Sequence, residues 1–448
     1  METLRILQIG DIHLPEWQEV GSDVDRKDKE FSQEISDDIS LGRIRSVLRR
    51  LHDISTRSHI DCVALMGDLT SFGEIQQIQP AIDIIDALVT GPEGHKPLMM
   101  TVPGNHDIDK DEAALLGKSG KFRSLVAAVE NRRWLRPPTD DCLRYALGPR
   151  TDGPSIDCLL LNTSIGSWSP HLLPPGLARE YEAEALAAAP IQLAKEAVAD
   201  IANTPGWTES VLRNRTEQRF RQMDTPYVSK RSLATLSDKL RDLAGGAAIV
   251  MAHHNLLPQR VPRLLAYGEL LNAGFLRQML HASNRNVIYL HGHLHEDPVE
   301  VISVPSTEIA SRSERKIVSI AAPALKDGFN EITLFFGAEN DVFLVRVTKY
   351  RPNPFHVVGN FSDQDTQYIP LRRHVGDLIT GASRGVWQLI KDQRTTNWHQ
   401  LRADIASTRL QISDDDLELV LLKLFCCGLV RISQLGRDRM KWGLECVD

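Results

Sequence analysis

The stretch LRILQIGDIH, residues 4–13, decides how the rest of the chain is read. It is a short, β-rich apolar run that stops at Gly10 and turns at once to Asp11 and His13. Two later stretches repeat the plan: CVALMGD (62–68) ends in Asp68, and PLMMTVPGNHD (97–107) ends with Asn105 and His106. Between them, LGRIRSVLRRLHDIS (41–55) and IQPAIDIIDAL (78–88) carry apolar residues at helical spacing. Strand, helix, strand, helix, strand predicts an α/β fold with a parallel sheet. In such sheets ligands gather outside the carboxyl ends of the strands. All three polar clusters lie at those ends.

Downstream the rhythm changes. From about 110 to 235, KFRSLVAAVENRRWL and AREYEAEALAAAPIQLAKEAVADIA are Ala- and charge-rich helical stretches, with one strand, DCLLLNTS (157–164), between them. This span reads as a helical insertion over the site, with peripheral decoration as the alternative. AAIVMAHHN (247–255) and NVIYLHGHLH (286–295) are again strands that end in histidines. VEVISVP (299–305), KIVSIAA (316–322), NEITLFFG (330–337) and DVFLVRVTKY (341–350) read as hairpins of a second, more antiparallel sheet. RPNPFHVVGNFSDQDTQYIP (351–370) is punctuated like a linker. Residues 371–448 then read as three helices and two strands around a short turn, a small winged-helix-like domain. The organisation expected is a main domain over 1–350, a linker over 351–370 and the small domain over 371–448.

The chain has 448 residues, 42% hydrophobic and 25% charged, which fits a globular protein with a sizeable core and room for more than one domain. A net charge of −7 gives no overall basic field to draw in nucleic acid or membranes. METLRILQIGDIH has no basic segment followed by a long apolar run, and no apolar stretch is long enough to span a bilayer. The six cysteines form no C-x-x-C pair. A reduced, cytoplasmic protein with no membrane partner is expected.

LHGHLHED (290–297) puts His291, His293 and His295 at alternate positions, which on an extended chain point to one side. The stretch alone leaves a metal cage, a solvated turn, or two ligands with a bystander all open. Each motif taken singly has a bland reading, since Asp-x-His arises by chance and GD is a common turn. Together, Asp11 and His13, Asp68, Asn105 and His106, His253 and His254, and His293 and His295 end successive buried strands read as one sheet. Carboxylate and amide oxygens mixed with imidazoles suit manganese, iron or zinc rather than calcium, and the donors suffice for two ions.

GDIH, GDLT, VPGNHD, AHHN and GHLH, in this order, resemble the signature of the calcineurin-like metallophosphoesterases, over roughly residues 4 to 345. The wording GDLTSFGE…VPGNHD is most similar to the class III cyclic-nucleotide phosphodiesterase branch, and less so to the nuclease branch of double-strand-break repair. The resemblance implies a four-layer αββα sandwich of two mixed sheets. It also implies that Asp11, His13 and His295 bind one divalent ion, that Asn105, His253 and His293 bind a second, and that Asp68 bridges both. Manganese is the first choice of ion, with iron or zinc as alternatives. His106, counted with Asp68 as catalytic, would meet the scissile phosphate without ligating. His254 would lie behind the ligands or on the substrate side, and His291 would support them or belong to the core. The implied reaction is hydrolysis of a phosphodiester, of nucleotide or nucleic-acid type, by a hydroxide bridging the two ions. Alternatives are a DNA or RNA nuclease guided by the C-terminal domain, a phosphomonoesterase, and a catalytically weak scaffold on the same fold.

The C-terminal domain argues against a simple DNA reader. Its third helix opens SDDDLELV, with Asp414, Asp415, Asp416 and Glu418 in the first turns. Acidic residues suit a helix N-terminus but repel a phosphate backbone. Arg437, Arg439 and Lys441 are the best basic candidates for a backbone contact. A protein-contact or self-association role is the expectation.

Overall fold

A computed structural model describes residues 2–14, 33–71, 73–109, 120–130, 132–149, 153–167, 226–243, 245–257, 270–295, 297–304, 315–337, 341–352, 365–371, 381–408 and 410–447, with a few single positions between. The opening half follows the predicted order: β1 (Thr3–Ile9), α1 (Gln33–Arg57), β2 (Cys62–Leu65), α2 (Ile75–Leu88) and β3 (Leu98–Thr101). β1, β2 and β3 lie side by side and parallel. Next come α3 (Arg123–Val129), β4 (Cys142–Leu147), β5 (Ile156–Leu161), α4 (Lys230–Arg241), β6 (Ala247–Met251), α5 (Ala273–Ala282) and β7 (Asn286–His291). β8 (Val299–Val304), β9 (Arg315–Ala321), β10 (Phe329–Phe336), β11 (Val342–Tyr350) and β12 (Asp365–Pro370) complete the two large sheets. The first runs β12-β11-β10-β1-β2-β3 and the second β4-β5-β6-β7-β9-β8. Both are mixed, as the sandwich requires.

Between the sheets, Leu4, Ile6, Ala64 and Met100 of the first meet Leu160, Ile249, Met251 and Ile288 of the second. The alternate residues Leu7, Ile9, Val63 and Leu65 turn the other way, onto α1, α2 and α3. On the far side, Leu159, Val250 and Tyr289 pack against α4 and α5. Period-2 alternation thus gives each sheet two apolar faces and stacks four layers. Each fully buried aliphatic contributes roughly 1.5–3 kcal/mol.

Several expectations are corrected. The motif strands do not share one sheet: β1, β2 and β3 belong to the first, β6 and β7 to the second. β10 and β11 do not build the second sheet either. β10 pairs antiparallel with β1, from Thr3↔Phe335 to Gln8↔Asn330, and β11 pairs with β10. All eight residues of β10 are buried, which marks a central strand covered on both faces, not half of an exposed hairpin. β4 passed unnoticed in the sequence because it is a half-exposed edge strand carrying Arg144 and Tyr145. Part of the expected linker is β12, an edge strand on β11 that ends at Pro370, where a missing N–H does little harm. Of the expected helical insertion over the site, α3, β4, β5 and the start of α4 are described; residues 168–225, which hold much of it, lie outside the described residues, as does most of the loop after Leu14.

The C-terminal unit holds α6 (Ala382–Gln393), β13 (Thr395–Asn397), α7 (Trp398–Ala406), α8 (Asp414–Cys426), β14 (Val430–Ser433) and β15 (Gly443–Cys446). The expected two strands are joined by a third, in the order β13-β15-β14. Its core of Trp398, Trp442, Leu401 and Leu421 continues into Phe335, Phe343 and Leu344 on β10 and β11. The unit is therefore packed on the outer face of the first sheet. Among the described residues, no helix is long and apolar enough to cross a membrane.

Candidate metal centre

The sequence-predicted site residues come together across the seam between the two sheets. Asp11 and His13 follow β1, Asp68 follows β2, Asn105 and His106 follow β3, His253 and His254 follow β6, and His293 and His295 follow β7. The backbone bends hard to deliver them. Among the described residues only eight non-glycine positions have positive φ, and five are Asp11 (24°), His13 (52°), Asp68 (50°), His293 (68°) and His295 (55°). A left-handed conformation disfavours any residue with a Cβ and persists only where the surroundings impose it. Here they do. Ile12 and His13 N–H groups both donate to the Asp68 carbonyl, at 2.9 and 3.0 Å, and His293 N–H donates to the Asp11 carboxylate at 3.0 Å. Gly104 is required by close approach, since a Cβ there would collide with the Asp68 carboxylate and backbone.

On one side of the site, His13 Nε2 lies 3.4 Å from His295 Nε2, which is 3.7 Å from Asp11 Oδ1. On the other, His253 Nε2 is 3.0 Å from Asn105 Oδ1 and 3.3 Å from Asp68 Oδ2. Asp68 lies between the two, with Oδ2 also 3.9 Å from His13 and Oδ1 accepting the His106 N–H at 2.8 Å. His253 Nδ1 donates to the Met66 carbonyl at 2.6 Å; a carbonyl only accepts, so Nε2 is the nitrogen turned to the site. His106 is held likewise, Nδ1 donating to the Ser71 carbonyl at 3.2 Å.

The donor set fits divalent cations. Four overlapping groups have their ligand atoms within 4.8 Å of one another: Asp11, His13 and His295; His253, His254 and His293; Asp11, Asp68 and His253; and His13, Asp68 and His106. His254 Nε2 is buried without a hydrogen-bond partner beside His253 and His293. Burial would raise Asp68, but His253, His106 and His13 hold it well below the usual carboxylate range. Burial does raise Asp11, which His295 and His253 only partly offset. Burial opposes charging His253, yet Asp68 and Asp11 lift it to about 10. Buried carboxylates that pull this hard on their imidazoles make a place where positive charge is favourable.

The family model for calcineurin-like phosphoesterases matches residues 4–297, well over half of the chain. The chain belongs to this family. Its reaction class is accordingly the hydrolysis of phosphoric esters, and family and donor clusters together point to a dinuclear divalent-metal centre. A search of curated proteins found no match. Among solved structures, the chain is similar to a dimetal phosphatase from Danio rerio, at 12% identity and TM-score 0.41, covering 82% of this chain and 99% of that one. It is also similar to GAP50, the anchor in the inner membrane complex of Plasmodium, at 10% identity and TM-score 0.42, covering 83% and 90%.

The histidine just before the phosphoesterase's GHLH segment does not join the cluster. His291 is buried at the end of β7, its Nε2 3.1 Å from Ser319 Oγ and its Nδ1 3.2 Å from the Gly292 carbonyl. Burial lowers its pKa to about 4, so it sits neutral in the core. Two contributors went unread in the sequence. Asp107 accepts Leu69 N–H at 2.8 Å and Gly104 N–H at 2.9 Å, pinning the loop after β2 to the loop after β3. Burial, and then the charge of Asp68, raise its pKa to about 6. Its signal was present as the last letter of VPGNHD. Thr163 follows β5, accepts the His254 N–H at 3.1 Å and lies 2.9 Å from His254 Nδ1. It obeys the same rule as the candidate donors, a polar residue just past a buried strand.

Proposed function

We propose that the chain hydrolyses a phosphodiester of nucleotide or nucleic-acid type at a dinuclear centre, with manganese as the first choice of ion and iron or zinc as alternatives. The observation that carries this reading is the set of four overlapping donor groups, two of which share Asp68. In this reading Asp11, His13 and His295 would hold one ion, Asn105, His253 and His293 would hold the other, and Asp68 would serve both. His254, with its buried free nitrogen, is a further donor beside the second. Two bound divalent ions supply charge neutralisation of the phosphate and a water acidic enough to attack it at neutral pH. The chain's own groups do the rest. Met66 and Ser71 carbonyls fix which ring nitrogens of His253 and His106 face the site. His106 Nε2 is then the atom that meets the scissile phosphate and, when the ring is protonated, donates to the leaving oxygen.

A diester is preferred to a monoester because of the GDLTSFGE…VPGNHD wording, nearest to the cyclic-nucleotide phosphodiesterase branch. The six free cysteines, five of them buried, suit a reducing cytoplasm. The C-terminal unit reads as winged-helix-like and as a protein-contact or self-association module. Arg439, one of its basic candidates, already donates to Asp415 at 2.7 Å and Glu418 at 2.9 Å and lies over the Trp398 ring, which counts against a nucleic-acid role.

The test is a panel: manganese-loaded protein against bis-p-nitrophenyl phosphate, the monoester analogue, cyclic nucleotides, and single- and double-stranded DNA and RNA. Hydrolysis of the diester and of a nucleotide diester ahead of the monoester is expected. Faster turnover of the monoester would overturn the diester assignment, cleavage confined to nucleic acids would promote the nuclease alternative, and no turnover of any substrate would favour the scaffold.

A further inference from the structure

A chain of polar groups, buried at Gln8 and Asn330 and half-buried at Arg351 and Asp297, links both ends of the His291–Asp297 segment and takes no part in the donor set. It begins at Asp297, two residues beyond His295. Arg351 Nε and Nη2 donate to Asp297 Oδ2 at 2.9 and 2.5 Å, and Lys349 Nζ donates to the Asp297 carbonyl at 2.7 Å. Arg351 Nη2 also donates to Asn330 Oδ1 at 2.7 Å. Asn330 Nδ2 donates to Gln8 Oε1 at 2.9 Å and to the Ala321 carbonyl at 2.8 Å. Gln8 Nε2 crosses from the first sheet to the second, donating to the Ile320 carbonyl at 2.9 Å and to the His291 carbonyl at 3.2 Å. Gln8 and Asn330 are fully buried. The path thus leaves one end of the segment and returns to the other through β10 and β1, the strand that delivers Asp11.

The direction of every bond in this path is fixed by one residue. A guanidinium only donates, so Asn330 must turn its oxygen toward Arg351 and its NH2 toward Gln8. Gln8 must then offer its oxygen to Asn330, which leaves its NH2 for the His291 carbonyl. Arg351 is itself anchored by donating Nη1 to the Phe329 and Tyr350 carbonyls at 2.7 and 2.8 Å. It passes so close to Gly328 (φ 129°) that a Cβ there would meet Arg351 and collide with the Tyr350 carbonyl. Between the tied ends lie His293 and His295, both in the left-handed region and both disfavoured there unless held.

We propose that Gln8, Asn330 and Arg351 are positioning residues that hold the His293–His295 turn in its strained ligand geometry by clamping Asp297 and the His291 carbonyl to one oriented chain. The proposal rests on the metal-centre reading given above. Its sharpest probe is Asn330→Asp, which keeps size and shape. The new carboxylate has no donor for Gln8, so Gln8 must flip and aim its oxygen at two carbonyls. Arg351→Lys is the second probe: it keeps the charge near Asp297 but cannot hold Asn330 and two carbonyls together. Leu401→Ala, in the distal C-terminal core, is the control for a general loss of stability.

The experiment is a manganese titration of full-length protein, reading bound metal and diester hydrolysis in parallel. Both probes are expected to weaken metal affinity about 10–100-fold, the range for groups that orient ligands from behind. Rate should be recovered at saturating manganese and KM for the diester left unchanged, while Leu401→Ala keeps the wild-type affinity. Wild-type affinity in folded Asn330→Asp and Arg351→Lys would overturn the proposal, as would an equal shift in the control. If Asn330→Asp fails to fold, the Arg351→Lys titration alone decides. Fewer than two ions bound by the wild type would instead overturn the metal-centre reading, and the proposal with it.

Discussion

The metal-site end of the sandwich and the C-terminal unit are built on opposite terms. At the site, five ligand-type residues sit at positive φ, two carboxylates are fully buried among imidazoles, and the segments that carry them come from strands of two different sheets. In the C-terminal unit only Arg394 and Gln434 take positive φ among the described non-glycine residues, and at the helix starts local preference and final structure agree. α7 starts behind Asn397, whose side chain accepts the Gln400 N–H, and α8 starts behind Ser413, which accepts the Asp416 N–H. The three aspartates in the first turn of α8 suit the helix dipole. Arg439 is neutralised by Asp415 and Glu418 within the unit. One region crowds strained donor-type residues and buried carboxylates together, and the other starts its helices on caps and charges that suit them. Consistency across levels is the rule for a folding sequence, and departures from it concentrate at functional sites.

Substitutions in the two regions should therefore fail in different ways. The largest effect is expected for Asp68→Asn, which removes the group common to both halves of the site. Activity should fall well beyond the ~100-fold typical of changes behind the ligands, with metal content falling in the same elemental analysis. His106→Ala should separate chemistry from metal binding: diester turnover drops about 10²–10⁴-fold, the usual worth of a positioned acid or base, while metal content stays at the wild-type value. Loss of metal from this variant would show that His106 is a ligand, a role its grouping with His13 and Asp68 also permits.

In the C-terminal unit the readout is stability. Trp398→Ala empties a site that is almost completely buried against Trp442 and should lower unfolding free energy by about 3–5 kcal/mol in urea titrations. Metal content of the remaining folded protein should not change. Ser413→Ala removes only a helix cap and is expected to cost about 1 kcal/mol by the same measurement. A loss of metal in either variant would break the contrast between the two regions.

Much of this was legible beforehand, for specific reasons. The candidate ligands declare themselves because Asp, Asn and His standing immediately after buried apolar runs are chemically conspicuous whatever the sheet order. β1, β2, β3, α1 and α2 follow directly from period and length. Sheet membership did not follow: β10 and β11 have the apolar content of any buried hairpin, and only pairing with β1 distinguishes a central strand from a strand of a second sheet. The missed residues share one cause. Gln8, Asp107 and Thr163 act through backbone groups distant in sequence, at His291, Leu69 and His254. A polar residue inside or just after an apolar strand signals that such a partner exists but not which one. Gln8, set between Leu7 and Ile9 in LRILQIG, was that kind of signal.

The central claim is that the seam between the two sheets builds one centre for two divalent ions around Asp68. The most direct measurement is the metal content of full-length protein loaded with manganese, dialysed, and verified as folded by circular dichroism, beside Asp68→Asn treated identically. Two ions per wild-type chain, fewer in the variant, and diester hydrolysis that disappears with chelator and returns with manganese are the predicted results. A folded, metal-saturated wild type that holds one ion or none, or an Asp68→Asn variant that keeps both, would contradict the account.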